Sequence, residues 1–182
     1  MGSLMKLIIL DRDGVINEDS DDYIKSVDEW QPLAGSIDAI ARLSKNNYRI
    51  AVATNQSGIA RGYFDMDTLM AMHEKMHQRV NDAGGVIDAV FFCPHGPDDD
   101  CECRKPKPGM YIDIGKRFRS DLKDVPVIGD SLRDLQAAEA VGARPILVRT
   151  GKGERTLNSL AGAAKGMEVY DNLAAAVDAL SN

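Results

Sequence analysis

Asp11 and Asp13 stand one residue apart in LDRDG, directly after the aliphatic run Leu7-Ile8-Ile9-Leu10. Two acids so close are costly to hold unless a cation or a proton joins them. Asp130 ends a second aliphatic run, VIGD, and Thr54-Asn55 ends a third, IAVATN. Lys105 adds a cation. Carboxylate and hydroxyl oxygens suit Mg²⁺, and Mg²⁺ suits phosphate. Taken alone, DRDG is equally a solvated turn of the kind Asp and Gly favour. Three strand ends offering carboxylate, hydroxyl and carboxylate point instead to one site.

The stretch CPHGPDDDCECRKPKPG, residues 93–109, holds all three cysteines and one of three histidines. Cys93, His95, Cys101 and Cys103 form a soft, tetrahedral ligand set, which favours Zn²⁺. Four protein ligands leave no open position, so the predicted site is structural. A redox C-x-C would leave Cys93 and His95 unused. Arg104 and Lys105 follow the last ligand at once. A metal bond there would pin a polar, Pro-containing loop that packing cannot hold. His73-Glu74-Lys75-Met76-His77 also matches H-E-x-x-H. Leu69, Met70, Met76 and Val80 are read onto the same helix face, and no third ligand follows at the expected spacing. The two histidines are therefore read as structural.

Positioning these groups falls to alternating elements. Strands are predicted over 7–10, 49–54, 89–92, 125–128 and 146–149. Helices are predicted over 36–46, 66–83, 110–118, 131–141 and 172–180. The alternation implies an α/β fold, a Rossmann-like doubly wound parallel sheet with both faces covered. Ligands of such sheets bind at the carboxyl ends of the strands, where the three acids fall. Asp134 reads as support, a first-turn acid on a helix.

The chain's 182 residues suit one domain, 1–182, with the zinc loop 93–103 inside it. A net charge of −6 argues against binding nucleic acid or anionic membrane. The start MGSLMKLIIL lacks the features of a signal peptide, and Gly2-Ser3-Leu4 before Met5 resembles a cloning remnant. These features predict a cytoplasmic protein with reduced cysteines, acting as a monomer on a small molecule.

D-x-D-G after the first strand, Thr-Asn after the second, a Lys, then Gly-Asp with Asp134 four residues on resembles the motif set of the haloacid dehalogenase-like phosphatases. The likeness runs from about Leu7 to Lys152. It implies that Asp11 is the nucleophile and Asp13 the general acid and base. It implies Mg²⁺ on Asp11, Asp13 through its carbonyl, and Asp130, with Thr54 and Lys105 binding the transferred oxygens. Forty residues separate Asp13 from Thr54 and fifty separate Thr54 from Lys105. These gaps exclude a separate cap domain and leave a site shaped by loops 17–31 and 56–64 and the zinc loop.

The zinc loop, TNQSGIARG at 54–62, PGM at 108–110 and LVRTGK at 147–152 are similar to one branch of that family. It contains the D-glycero-D-manno-heptose 1,7-bisphosphate 7-phosphatases and the histidinol-phosphate phosphatases. The first activity is favoured, and it implies a place in lipopolysaccharide-core or S-layer heptose synthesis. Asn55, Gln56, Ser57, Arg61 and Arg104 are the expected substrate contacts, the arginines serving a second phosphate. Five residues between His95 and Cys101 are nearer the histidinol-phosphate type, which stays as the alternative substrate. A zinc-stabilised interaction module without catalysis is the non-enzyme alternative.

Overall fold

The computed structural model describes residues 6–181. Gly2-Ser3-Leu4 lies outside the described residues. Six parallel strands form one sheet: β1 (Lys6–Leu10), β2 (Tyr48–Asn55), β3 (Ala89–Cys93), β4 (Pro126–Gly129), β5 (Arg144–Val148) and β6 (Glu168–Tyr170). Their order is β3-β2-β1-β4-β5-β6. The helices are α1 (Ser36–Lys45), α2 (Met66–Asp82), α3 (Gly109–Phe118), α4 (Leu132–Ala140), α5 (Gly153–Leu160) and α6 (Leu173–Ser181).

The inner strands read as unbroken aliphatic runs because helices cover both faces. Side chains alternate across the sheet. Ile8 and Leu10 join Ile40, Leu69, Met72 and Val177 on one face. Leu7 and Ile9 join Tyr111, Ile114 and Ala138 on the other. A one-residue slip would exchange these sets, so the aliphatic runs fix where each strand ends.

The strand order reverses between β1 and β4, and a crevice opens at such a point. Leu10 pairs with Ile128, and Asp11 N–H donates to the Ile128 carbonyl at 2.9 Å. Asp11 and Asp130 therefore emerge side by side at the carboxyl ends of neighbouring strands.

Three details differ from the sequence reading. α5, a short 3-10 turn at Ala161–Ala164 and β6 were not expected. β6 has three residues, all half-buried, too few to show a period. Two strands shift, β4 by one residue and β5 by one to two. On α2, Met70 is 43% exposed while Met72 is buried, so the apolar face passes through Met72. Among the described residues no helix is long and apolar enough to cross a membrane.

Candidate active site

A cavity of about 280 Å³ opens at the switch point, lined in part by Asp11, Asp13, Thr54, Lys105 and Asp130. Lys105 is one of these lining residues and is 2% exposed. Its ammonium donates to Asp11 Oδ1 at 3.1 Å, Asp134 Oδ1 at 2.6 Å and the Ala53 carbonyl at 2.7 Å. Burial alone would discharge this lysine, but the Asp11 and Asp134 charges outweigh it and hold the amine well above its usual pKa. Asp134 is committed elsewhere too. Its Oδ2 accepts from the Ser131 N–H and hydroxyl at 3.0 and 2.7 Å, a capping box that starts α4.

Asp11, Asp130 and Asp134 place ligand oxygens within 4.8 Å of one another. Burial pushes the Asp11 carboxyl well above the carboxylate range, and Asp134, Asp130 and Asp13 push it further against the pull of Lys105. Asp130 is raised to about 7 by burial, then by Asp134, with the Lys152 N–H opposing. Three carboxylates face one ammonium, an imbalance that a divalent cation would relieve. Local packing clears room for Asp130. A Cβ on Gly14 or Gly151 would lie 2.0 or 2.2 Å from its Oδ2. Both glycines have positive φ, 80° and 58°, which suits a residue lacking Cβ. The notch holds the carboxylate while the Lys152 N–H donates to Oδ2 at 2.8 Å.

Asp13 lies in the opposite environment. Arg12 Nε and Nη2 donate to it at 2.9 to 3.2 Å, Asn17 at 2.8 Å and Gln56 at 2.8 Å. Burial would raise its pKa, but the Arg12 charge and these donors lower it overall. Gln56 also donates to the Thr54 hydroxyl at 2.9 Å. Arg12 and Asn17 are fully buried and did not emerge from the sequence. The residue between the two acids was readable as a cation, but not its inward direction.

The 93–109 loop brings its ligands together. Cys93 Sγ lies 3.0 Å from Cys103 Sγ, 3.8 Å from Cys101 Sγ and 3.5 Å from His95 Nδ1. His95 Nδ1 lies 3.3 Å from Cys103 Sγ. A tetrahedral zinc with sulfur ligands at about 2.3 Å has edges of roughly 3.8 Å. The Cys93–Cys101 edge has that length and the Cys93–Cys103 edge is shorter; all four ligand atoms lie within 4.8 Å of one another, a donor set that could hold such an ion, and all three cysteines are free. A second fastening is present. The Asn55 carboxamide donates to the Lys105 carbonyl at 3.0 Å and accepts from its N–H at 3.1 Å. The expected substrate contact Asn55 thus spends its side chain on the Lys105 backbone.

Ser57, Arg61 and Arg104 line the cavity, as does Arg133, which sequence reasoning missed. Arg61 sits over the Tyr23 ring at 5.9 Å. Arg104 Nη1 donates to the His95 carbonyl at 3.3 Å, tying it to the ligand loop. The H-E-x-x-H match is dispersed: His73 is 5% exposed, whereas Glu74 points to solvent.

The fold and this site define a haloacid dehalogenase-like hydrolase. A family model described as HAD-hydrolase-like matches residues 102–176, and one described as polynucleotide kinase 3 phosphatase matches residues 6–136. The D-glycero-beta-D-manno-heptose-1,7-bisphosphate 7-phosphatase of Bordetella bronchiseptica is 57% identical over 97% of this chain and 98% of its own. The protein of that name from Pseudomonas aeruginosa is 55% identical over 96% and 97%. A crystal structure of the Bordetella phosphatase, complexed with magnesium and phosphate, has a TM-score of 0.94 and covers 97% of this chain and 98% of that one. The D,D-heptose 1,7-bisphosphate phosphatase of Burkholderia thailandensis has a TM-score of 0.76 at 52% identity, covering 97% and 99%. The chain belongs to the haloacid dehalogenase-like phosphatases, in the family these heptose-bisphosphate enzymes form.

Proposed function

We propose that the protein hydrolyses the 7-phosphate of D-glycero-D-manno-heptose 1,7-bisphosphate through an aspartyl-phosphate. The supporting observation is the Lys105 ammonium bridging Asp11 and Asp134 in the crevice beside Asp130 and Asp13. Both hydrogen bonds to the Asp11 carboxylate, from Lys105 Nζ and the Arg12 N–H, end on Oδ1. Asp11 attacks phosphorus, and the bond from phosphorus to the sugar oxygen breaks. Asp13 gives that oxygen its proton. Asp13 then takes a proton from water as the water oxygen attacks the aspartyl-phosphate, freeing Asp11 and inorganic phosphate.

At rest Asp13 is held as a carboxylate by its three donors. An arriving phosphate is a like charge beside it and raises its affinity for the proton the first step needs. Thr54 and Lys105 hold the transferred oxygens. Asp11, the Asp13 carbonyl and Asp130 would hold Mg²⁺, which would offset the repulsion between nucleophile and phosphate. Ser57, Arg61 and Arg104 meet the rest of the substrate. Zn²⁺ on Cys93, His95, Cys101 and Cys103 is structural. The enzyme works in the cytoplasm as a monomer.

Phosphate release with Mg²⁺ should give a higher kcat/KM for the heptose bisphosphate than for histidinol phosphate. Asp11→Asn should reduce it by on the order of 10³-fold or more. Preference for histidinol phosphate would reassign the substrate. Equal background release by wild type and Asp11→Asn would mark a binding module.

A further inference from the structure

We propose that His73 is a positioning residue for Asp13 and acts through Arg12. The inference rests on the reading of Asp13 as general acid and base. Arg12 is fully buried, and its guanidinium is held at both ends. Nε and Nη2 grip the Asp13 carboxylate. Nη1 lies 3.3 Å from His73 Nε2, across 61 residues of sequence. Every donor of a guanidinium needs an acceptor when water is excluded, and His73 supplies one where the Asp13 end cannot reach.

The chemistry of that position is narrow. Arginine is an obligate donor, so His73 Nε2 must be the unprotonated nitrogen and accept. A carboxylate there would compete with Asp13 for the guanidinium. A cation would push it away. A neutral imidazole accepts one hydrogen bond without redirecting the charge. The ring is itself placed on two sides: by α2, whose buried face it shares with Leu69, Met72 and Met76, and by Phe92, whose ring centroid lies 6.2 Å away at 57°. Because the guanidinium is planar and rigid, fixing Nη1 fixes the plane in which Nε and Nη2 present themselves to Asp13. His73 is not among the residues that line the cavity, so its effect on the chemistry runs through Arg12 to Asp13.

The test compares His73→Leu, which removes the acceptor, with His73→Gln, whose carboxamide oxygen can stand near Nε2. Each is assayed in a single turnover that reads release of the leaving group, before water attacks the aspartyl-phosphate, on the heptose bisphosphate and on 4-nitrophenyl phosphate, whose leaving group needs no proton. His73→Leu should lower the rate of leaving-group release from the sugar ester by roughly tenfold, a fraction of a full acid–base contribution. KM should hardly move, the aryl ester should lose much less, and His73→Gln should recover most of the loss. In an Asp13→Asn background, His73→Leu should cost little more. Equal loss on both esters, no recovery by Gln, or a full further loss in the Asp13→Asn background would overturn the proposal. Equal loss on both esters for Asp13→Asn itself would overturn the acid–base assignment, and the proposal with it. Should His73→Leu fail to fold, His73→Asn replaces it, its carboxamide too short to reach Nη1.

Discussion

The two sides of the crevice are held by different physics. The floor, at the ends of β1 and β4, belongs to the sheet. Ile8, Ile9, Leu10 and Ile128 are fully buried, and the acids that follow inherit their positions from strand register. The opposite side, the 93–109 loop, has little apolar surface to bury, and residues 97–100 are all exposed. Its order comes from point fastenings: the soft ligand set, the Asn55 carboxamide on the Lys105 backbone and the Lys107 ammonium on the Cys101 carbonyl at 2.8 Å. A lysine in the crevice can thus be as fixed as a strand-end aspartate without a core beneath its loop. The floor should fail as part of the whole fold, the loop by itself.

The sharpest way to break that comparison is Gly14→Ala. The new Cβ must displace the Asp130 carboxylate and sits at a φ that L residues rarely adopt. Activity should fall on the order of 100-fold or more, with roughly 1–3 kcal/mol of global stability lost, read by phosphate release and denaturant unfolding. Unchanged magnesium dependence and stability would show that the notch constrains nothing.

Cys101→Ser, or zinc chelation, should act locally. Roughly tenfold of activity should go, less than the roughly 10²–10³-fold of removing a fixed electrostatic contact outright, because Asn55 still holds the Lys105 backbone. Amide exchange should rise across 93–109 while β1 and β2 stay protected. Opening of the sheet at the same rate would erase the distinction between the two sides. An Asn55→Ala partner variant would sharpen it by removing the second fastening, with a smaller loss.

The effect that is smallest at neutral pH, and grows only in acid, is the protonation of His73. Burial, then the Arg12 charge, depress the His73 pKa to about 3, below the unfolded value of about 6.5. The unfolded chain then binds the extra proton between those values, so the contribution is complete above the unfolded pKa and lost as pH falls toward 3. His73→Gln should flatten the acid limb of stability against pH in that window. An unaltered slope would mean that His73 charges as readily folded as unfolded.

These contrasts also explain what the sequence made legible. Asp11, Asp13 and Asp130 could be read because an aliphatic strand announces its own end, and the strand-helix alternation says which ends meet. The zinc ligands could be read because four soft side chains crowd eleven residues. Asp134 was readable as a first-turn acid through its helix position, though not its grip on Lys105. Arg12, Asn17 and His73 were not readable as a set. Their contacts span the fold, and His73 carries a motif whose Glu74 faces the other way. Asn55 was placed at the right strand end, but its commitment to the Lys105 backbone depends on loop geometry that no local pattern encodes. α5 and β6 lacked either length or a clean period.

If the chemistry lies at Asp11 and the metal-ligand loop only holds Lys105 in place, the phosphoryl group must pass through Asp11. The direct measurement is an acid quench during turnover followed by peptide mapping of wild type, Asp11→Asn and Cys101→Ser. A phosphoryl adduct on Asp11 in wild type, weaker in Cys101→Ser and absent in Asp11→Asn, is the predicted result. An adduct on another side chain such as Ser57, or adduct formation that survives Asp11→Asn but is abolished by Cys101→Ser, would contradict it.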